Sequence, residues 1–358
     1  MKLTLEKDHS RIWGMREKVA IIGAGAWGTA LAKVLVEKGE KVTLWVREPD
    51  LAERISTRHE NDVFLPGIKL PKNIQATPDV AEAISGADFL VFVVPSRFLR
   101  QVVNTASEKI KNDVTVVSCA KGLEEKNLSA PAEILHQSFR ARGITAPIVV
   151  LSGPSFAREV AQGVPTAVVS ASNNRKAAEK VQKLFSNPLF RVYTNPDPIG
   201  VEISGVLKNV MAIAVGISDG LELGLNTRAA LITRGLAEMT RLGVKLGANP
   251  LTFSGLAGMG DLVLTCTGDL SRNRQVGMAL ARGKKLGEIL AGMKAVAEGV
   301  STVKAVRKLA RKVGVEMPIV EQVFAVLYRH KEPIQAANDL MARRLKYEHE
   351  SIGWGWPE

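Results

Sequence analysis

Two patterns of apolar positions divide the chain. In the first half, short and nearly continuous apolar runs recur: "KVAII" (18–22), "KVTLWV" (41–46), "FLVFVV" (89–94), "VTVVSC" (114–119) and "PIVVLS" (147–152). Runs of this length, rich in Val and Ile, predict strands buried on both faces. Helical stretches of about 10 to 20 residues separate most of them, a βαβ spacing that predicts a parallel, doubly wound sheet. "TAVVSAS" and "FRVYT" read as two further strands closing the same unit. After about residue 198 amphipathic patterns take over, at 199–218, 226–246, 272–282, 299–313 and 317–329, and predict an all-α second domain. The expected organisation is a tail over 1–17, a sheet domain over 18–198, a helical domain over 199–345 and a tail over 346–358.

One stretch of the helical half breaks its own pattern. "GVLKNVMAIAVG" (205–216) has the character of buried helix, yet Lys208 sits inside it. Burying an ammonium without a partner costs several kcal/mol. At 3.6 residues per turn its neighbours are Ser204, Gly205, Met211 and Ala212, three of them small. Either the side chain snorkels to water, or it faces a ligand in the space those residues leave. No linker separates the halves, so this helix is expected near the cleft between domains, where ligand sites concentrate.

The glycine pattern states which ligand the sheet domain takes. "IIGAGAWGTALA" sets Gly23, Gly25 and Gly28 directly after a strand and at the start of a helix. In that context Gly23 allows the tight turn, Gly25 lets backbone approach a pyrophosphate and Gly28 lets helix and strand pack closely. The sheet domain is therefore Rossmann-like, with NAD or NADP as its cofactor. At the end of the second strand stand Val46, Arg47 and Glu48 rather than an acid alone. An arginine there can meet a 2′-phosphate, so acceptance of NADPH is expected.

Further chemistry gathers at strand ends. "SCAKGLE" puts Lys121 at the carboxyl edge of the sheet, and "LSGPSFARE" puts Gly153, Pro154 and Ser155 on the same crevice. Ser155 could instead cap the next helix. In "GMGDLVLTCTGDLSRNRQVG", Ser271 precedes a helical pattern whose first turn is Arg272, Asn273 and Arg274, so amides, helix dipole and guanidinium coincide as in a phosphate site. Asp261 is either the N-cap of "LVLTC" or the carboxylate that keeps Lys208 charged.

Composition narrows the partners. At 358 residues the chain exceeds what one core usually supports. A formal net charge of +12 points to an anionic partner without saying which, so a small phosphorylated substrate, nucleic acid and acidic membrane are all open on charge alone. Basic residues interleave with acids and aromatics are 5%, so no nucleic-acid surface is expected. Two cysteines, Cys119 and Cys266, and five histidines without ligand spacing indicate no disulfide framework and no metal site, and suit a reducing cytoplasm. The charged start "MKLTLEKDHSRIWGMREK" lacks a signal-peptide core, and Lys208 and Asn209 interrupt the longest apolar run, so no membrane-spanning helix is expected.

Together "GAGAWGTALA", "VPS" (94–96), "CAKGLE", "LSGPSFA", "GVLKNVMAIAVG", "GMGDLVLTC" and "SRNR" resemble the NAD(P)-dependent glycerol-3-phosphate dehydrogenases of the bacterial type, over about residues 18–345. The resemblance implies Lys208 as catalytic acid/base, with Lys121 and Asp261 assisting it. It implies substrate contacts at Lys121, Gly153, Ser155, Lys208, Asp261, Ser271, Arg272 and Asn273. It implies cofactor contacts at Ala26, Trp27, Arg47, Lys121, Ala157, Arg272, Val296 and Glu298, beside the three glycines. It further implies hydride transfer between NAD(P)H and dihydroxyacetone phosphate, a homodimer, and a place in glycerophospholipid synthesis. Two departures stand out: Val206 replaces a smaller residue, and Glu48 follows Arg47 in place of a second basic residue. A β-hydroxyacid dehydrogenase would want an asparagine four residues after the lysine, and position 212 is alanine. A nucleotide-binding protein without catalysis is the remaining alternative, and Lys208, Asp261 and Arg272 together speak against it. The purpose of the N-terminal tail and of Trp354 and Trp356 has no reading.

Overall fold

The computed structural model describes residues 16–293, 297–345 and 347–348. Val296, Trp354 and Trp356, and the N-terminal tail up to residue 15, lie outside the described residues. Eight strands form one sheet: β1 Lys18–Ile22, β2 Lys41–Trp45, β3 Gln75–Thr77, β4 Phe89–Phe92, β5 Thr115–Ser118, β6 Ile148–Ser152, β7 Thr166–Ala171 and β8 Phe190–Asn195. Their order is β3-β2-β1-β4-β5-β6-β7-β8. Between them run α1 Ala26–Lys38, α2 Pro49–Arg58, α3 Val80–Ile84, α4 Ser96–Ala106, α5 Pro131–Arg140, α6 Ala157–Ala161 and α7 Arg175–Phe185. Alternate residues of β1 feed different cores: Val19 and Ile21 pack on one face, Ala20 and Ile22 on the other. Such two-sided burial is why these strands are apolar without interruption. The order reverses between β1 and β4, which opens a crevice at their carboxyl ends.

The sheet departs from the sequence reading twice. β3 is a three-residue edge strand, "QAT", with no apolar run to announce it. β7 pairs with β6 antiparallel and with β8 parallel, so the expected all-parallel sheet ends at β6. Helix α6 has five residues and rises only about 7 Å. A five-residue strand such as β6 spans about 16 Å. So short a crossover cannot carry the chain back to the sheet's amino edge, and β7 returns from the edge where β6 ended.

All later elements are helical: α8 Pro198–Gly220, α9 Gly224–Lys245, α10 Pro250–Phe253, a π-helical turn Leu256–Gly260, α11 Asp261–Thr267, α12 Arg272–Ala281, α13 Leu286–Ala291, α14 Glu298–Val313, α15 Pro318–Tyr328 and α16 Pro333–Met341. The short helices α10, α13 and α16 had no sequence signal, being too brief for a helical period to show. Helix α8 is the axis of this half and touches α9, α11, α12, α14 and α15. It is long and apolar enough to cross a membrane by length and composition, but 89% of its most apolar window is buried inside the protein. Asp197 caps it through the Gly200 amide at 2.8 Å and also accepts from Asn249 N and Thr252 Oγ1.

Candidate active site

The crevice between β1 and β4 is shaped by its glycines. Gly23 has φ +120°, and a Cβ there would stand 3.0 Å from the Val93 carbonyl oxygen. A Cβ on Gly28 would lie 1.9 Å from the Gly23 carbonyl, so α1 sits directly on the turn. At Gly25 a Cβ would meet nothing within 4 Å. That open space faces the first amides of α1, which lack intrahelical partners. Trp27 in the same turn has a buried Nε1 with no hydrogen-bond partner among the described residues. An anionic dinucleotide fits the glycine cradle, while the Trp27 ring packs beside Phe190, centroids 6.4 Å apart. Arg47, just past the end of β2, has its Nε and Nη2 both on Glu48 Oε1, at 2.9 and 2.5 Å.

Lysine 208 does not snorkel. It is 7% exposed, and its Nζ lies 2.5 Å from Asp261 Oδ1 and 3.0 Å from Thr265 Oγ1. The other oxygen of Asp261 takes Lys121 Nζ at 2.9 Å. Lys121 comes from the loop after β5, Lys208 from the middle of α8, and Asp261 from the first residue of α11. Gly260, not Asp261, is the N-cap of α11, and the Asp261 carboxylate accepts from the side chains of Lys208, Lys121 and Thr265, so it is the partner of the lysines and not a cap. A π-helical turn aims it: Gly258 has no room for a Cβ, which would fall 2.1 Å from the Phe253 carbonyl oxygen, and Gly260 leans on Pro154.

Two ammonium groups thus share one buried carboxylate. Burial first, and the Lys121 charge with it, push Lys208 down to about 8 against the pull of Asp261. For Lys121, burial works against the charge, yet Asp261 outweighs it and holds the pKa above the ordinary lysine value. Asp261 is itself buried, which favours its neutral form, but the two lysines hold it below the usual carboxylate range. Burial raises the Glu298 carboxyl, opposed by Arg272, Lys121, Lys208 and Arg97. Glu298 therefore looks onto the same group of cations.

The start of α12 supplies the remaining pole. Ser271 Oγ accepts from Arg274 N at 3.3 Å, the N-cap expected from the sequence. Arg272 is exposed and makes no ion pair to a described residue. Asn273 is 7% exposed; its Nδ2 donates to Asn209 Oδ1 at 2.9 Å and its Oδ1 accepts from Gly299 N at 3.0 Å. One amide hydrogen is left for a ligand. Arg274, which the sequence grouped with the anion-facing turn, points away to Asp219 and Asp269. On the sheet side Gly153 has φ +149° with Val168 Cα pressing where its Cβ would be. Ser155 Oγ donates to the Gly153 carbonyl at 3.0 Å and caps nothing, since α6 begins after Phe156. Ala157 opens α6 and packs against the core. Thr265 was missed by sequence reasoning, although it lies four residues after Asp261 and so on the same helix face.

These features define a class: a two-domain dinucleotide-binding protein whose helical half sets a carboxylate-bound lysine against a loop at the carboxyl edge of a Rossmann sheet. The description NAD-dependent glycerol-3-phosphate dehydrogenase N-terminus matches residues 18–178, and the corresponding C-terminus description matches residues 197–338. The chain belongs to the NAD-dependent glycerol-3-phosphate dehydrogenase family. It is 52% identical over 334 residues to a glycerol-3-phosphate dehydrogenase [NAD(P)+] of Citrifermentans bemidjiense, covering 93% of this chain and 99% of that one. A relative of the same description from Geobacter metallireducens is 54% identical with the same coverage. The crystal structure of glycerol-3-phosphate dehydrogenase from Coxiella burnetii superposes with a TM-score of 0.88 at 41% identity, over 92% of this chain and 99% of that chain.

Proposed function

We propose that this chain catalyses reversible hydride transfer between NAD(P)H and dihydroxyacetone phosphate, giving sn-glycerol 3-phosphate. The observation that carries the reading is the Asp261 carboxylate divided between Lys208 and Lys121 at the carboxyl edge of the sheet. A bound nicotinamide supplies the hydride in the direction of reduction. Gly23, Gly25 and Gly28, with Ala26, Trp27, Arg47, Ala157 and Glu298, would hold that cofactor, and Lys121 and Arg272 would touch it as well as the substrate. The carbonyl oxygen at C2 becomes an alkoxide and needs a proton. Lys208 gives it, Lys121 polarises the oxygen, and Asp261 with Thr265 keeps the Lys208 ammonium aimed. Positioned proton transfer of this kind contributes about two to four orders of magnitude. Arg272, Ser271, Asn273 and the amides of α12 bind the phosphate, while Gly153 and Ser155 line the substrate from the sheet side.

The β-hydroxyacid alternative loses its support to the family match over both halves. The product is a phosphorylated glycerol backbone, which suits supply to glycerophospholipid synthesis. Buried free thiols at Cys119 and Cys266 suit a reducing cytoplasm. A homodimer belongs to the same reading. The test is the initial rate of NADH and NADPH oxidation with dihydroxyacetone phosphate. Lys208→Ala should lower kcat about a hundredfold or more with the cofactor KM nearly unchanged. A folded variant with normal turnover would end the reading.

A further inference from the structure

The first turn of α12 is gripped twice by α8, the helix that carries Lys208. Asn273 bonds Asn209, the residue next to Lys208. Arg274 reaches the far end of the same helix, where Nε meets Asp219 Oδ2 at 2.6 Å. Its Nη1 meets Asp269 Oδ1 at 3.0 Å, in the loop that leads to Ser271 and Arg272. Both acids flank the turn in different ways: Asp219 is 6% exposed and also holds Arg228, whereas Asp269 is 98% exposed. The backbones are equally close. A Cβ on Gly216 would lie 2.1 Å from the Arg274 carbonyl oxygen, and one on Gly277 2.2 Å from that of Ile213. Main chain and side chain of Arg274 are therefore both fastened to α8, while its guanidinium also fixes the loop.

We propose that Arg274 is a positioning residue: through Asp219 and Asp269 it holds the phosphate-binding turn at Arg272 in register with Lys208, and so sets discrimination for substrates that carry a phosphate. It acts through its contacts to Asp219 and Asp269. A charged, largely buried fork that joins two segments resists rotation of α12 more than a single neutral bond would. Remote phosphate binding is useful only if the carbonyl then falls at the proton donor, so loosening the turn wastes it. The proposal rests on the phosphate reading given above.

The experiment compares dihydroxyacetone phosphate with dihydroxyacetone, which lacks the phosphate, in the full-length enzyme with NADH. In Arg274→Gln, kcat/KM for the phosphorylated substrate should fall about tenfold, mainly through KM, with the value for dihydroxyacetone within twofold of the parent. Asp269→Asn removes the charge of one exposed partner of Arg274, leaves the core untouched and should fall about threefold in the same pattern; it decides the matter if Arg274→Gln does not fold. Parallel losses on both substrates would show a merely structural role and overturn the proposal, as would no loss on either. If the parent enzyme itself uses the two substrates equally well, the phosphate reading fails instead.

Discussion

The proposed role of Lys208 as proton donor carries a pH signature. Because its pKa is pushed down to about 8, the ammonium that reduction needs is present below that pH and lost above it. We expect kcat/KM for dihydroxyacetone phosphate to fall as pH rises through about 8, while oxidation of glycerol 3-phosphate, which needs the neutral amine, rises over the same range. Rate profiles of both directions check this; a flat reduction profile up to pH 10 would remove Lys208 as the donor. A second residue-scale expectation concerns Arg47, whose guanidinium is held by Glu48 with side chains 68% and 36% exposed. A 2′-phosphate must displace that carboxylate. Glu48→Gln should raise the ratio of kcat/KM for NADPH over NADH by about threefold, the scale of an exposed ion pair. An unchanged ratio would show that the pair does not bear on cofactor choice. Sequence placed Arg47 correctly at the strand end, but only the side-chain geometry shows it engaged.

At the scale of elements, α8 does more than carry Lys208. Glu202, two turns before the lysine, accepts from Ala132 N at 2.8 Å and so caps α5 of the sheet domain. Burial, with Glu133 adding to it, pushes Glu202 up to about 8, well above the ordinary 4.5. Between those two values the folded protein binds more protons than the unfolded chain. Stability from this group is therefore fully present below about pH 4.5 and lost as pH rises to about 8. Glu202→Gln keeps an acceptor for Ala132 N and removes the charge. Denaturant unfolding at pH 6 and pH 8.5 should show a smaller loss in this variant than in the parent, and an equal loss would refute the assignment. Glu238 caps α15 at Ile319 N in the same manner, with its pKa raised to about 7. Neither glutamate was legible as a cap, since each belongs to a helix interior and serves a helix distant in sequence. The helices themselves were legible: a period of 3.6 over 199–218 and 226–246 matches α8 and α9 within a few residues.

In the whole molecule, the sheet, the helical half and their meeting at one site arise from different kinds of information. Strand and helix types followed from periodicity, and the dinucleotide turn from glycine spacing, because both are imposed by local geometry and burial. The edge strand β3 and the antiparallel return of β7 were not, because they depend on neighbouring strands and on the reach of a five-residue helix. Residue types alone determined that the chain makes a Rossmann-like sheet, then helices, with a lysine that needs a partner. Tertiary structure alone decided that Asp261 serves Lys208 and Lys121 at once. Those contacts join residues 53 and 140 positions apart. No local pattern constrains such pairs; only the packing of helices against the sheet brings their charges within hydrogen-bond reach.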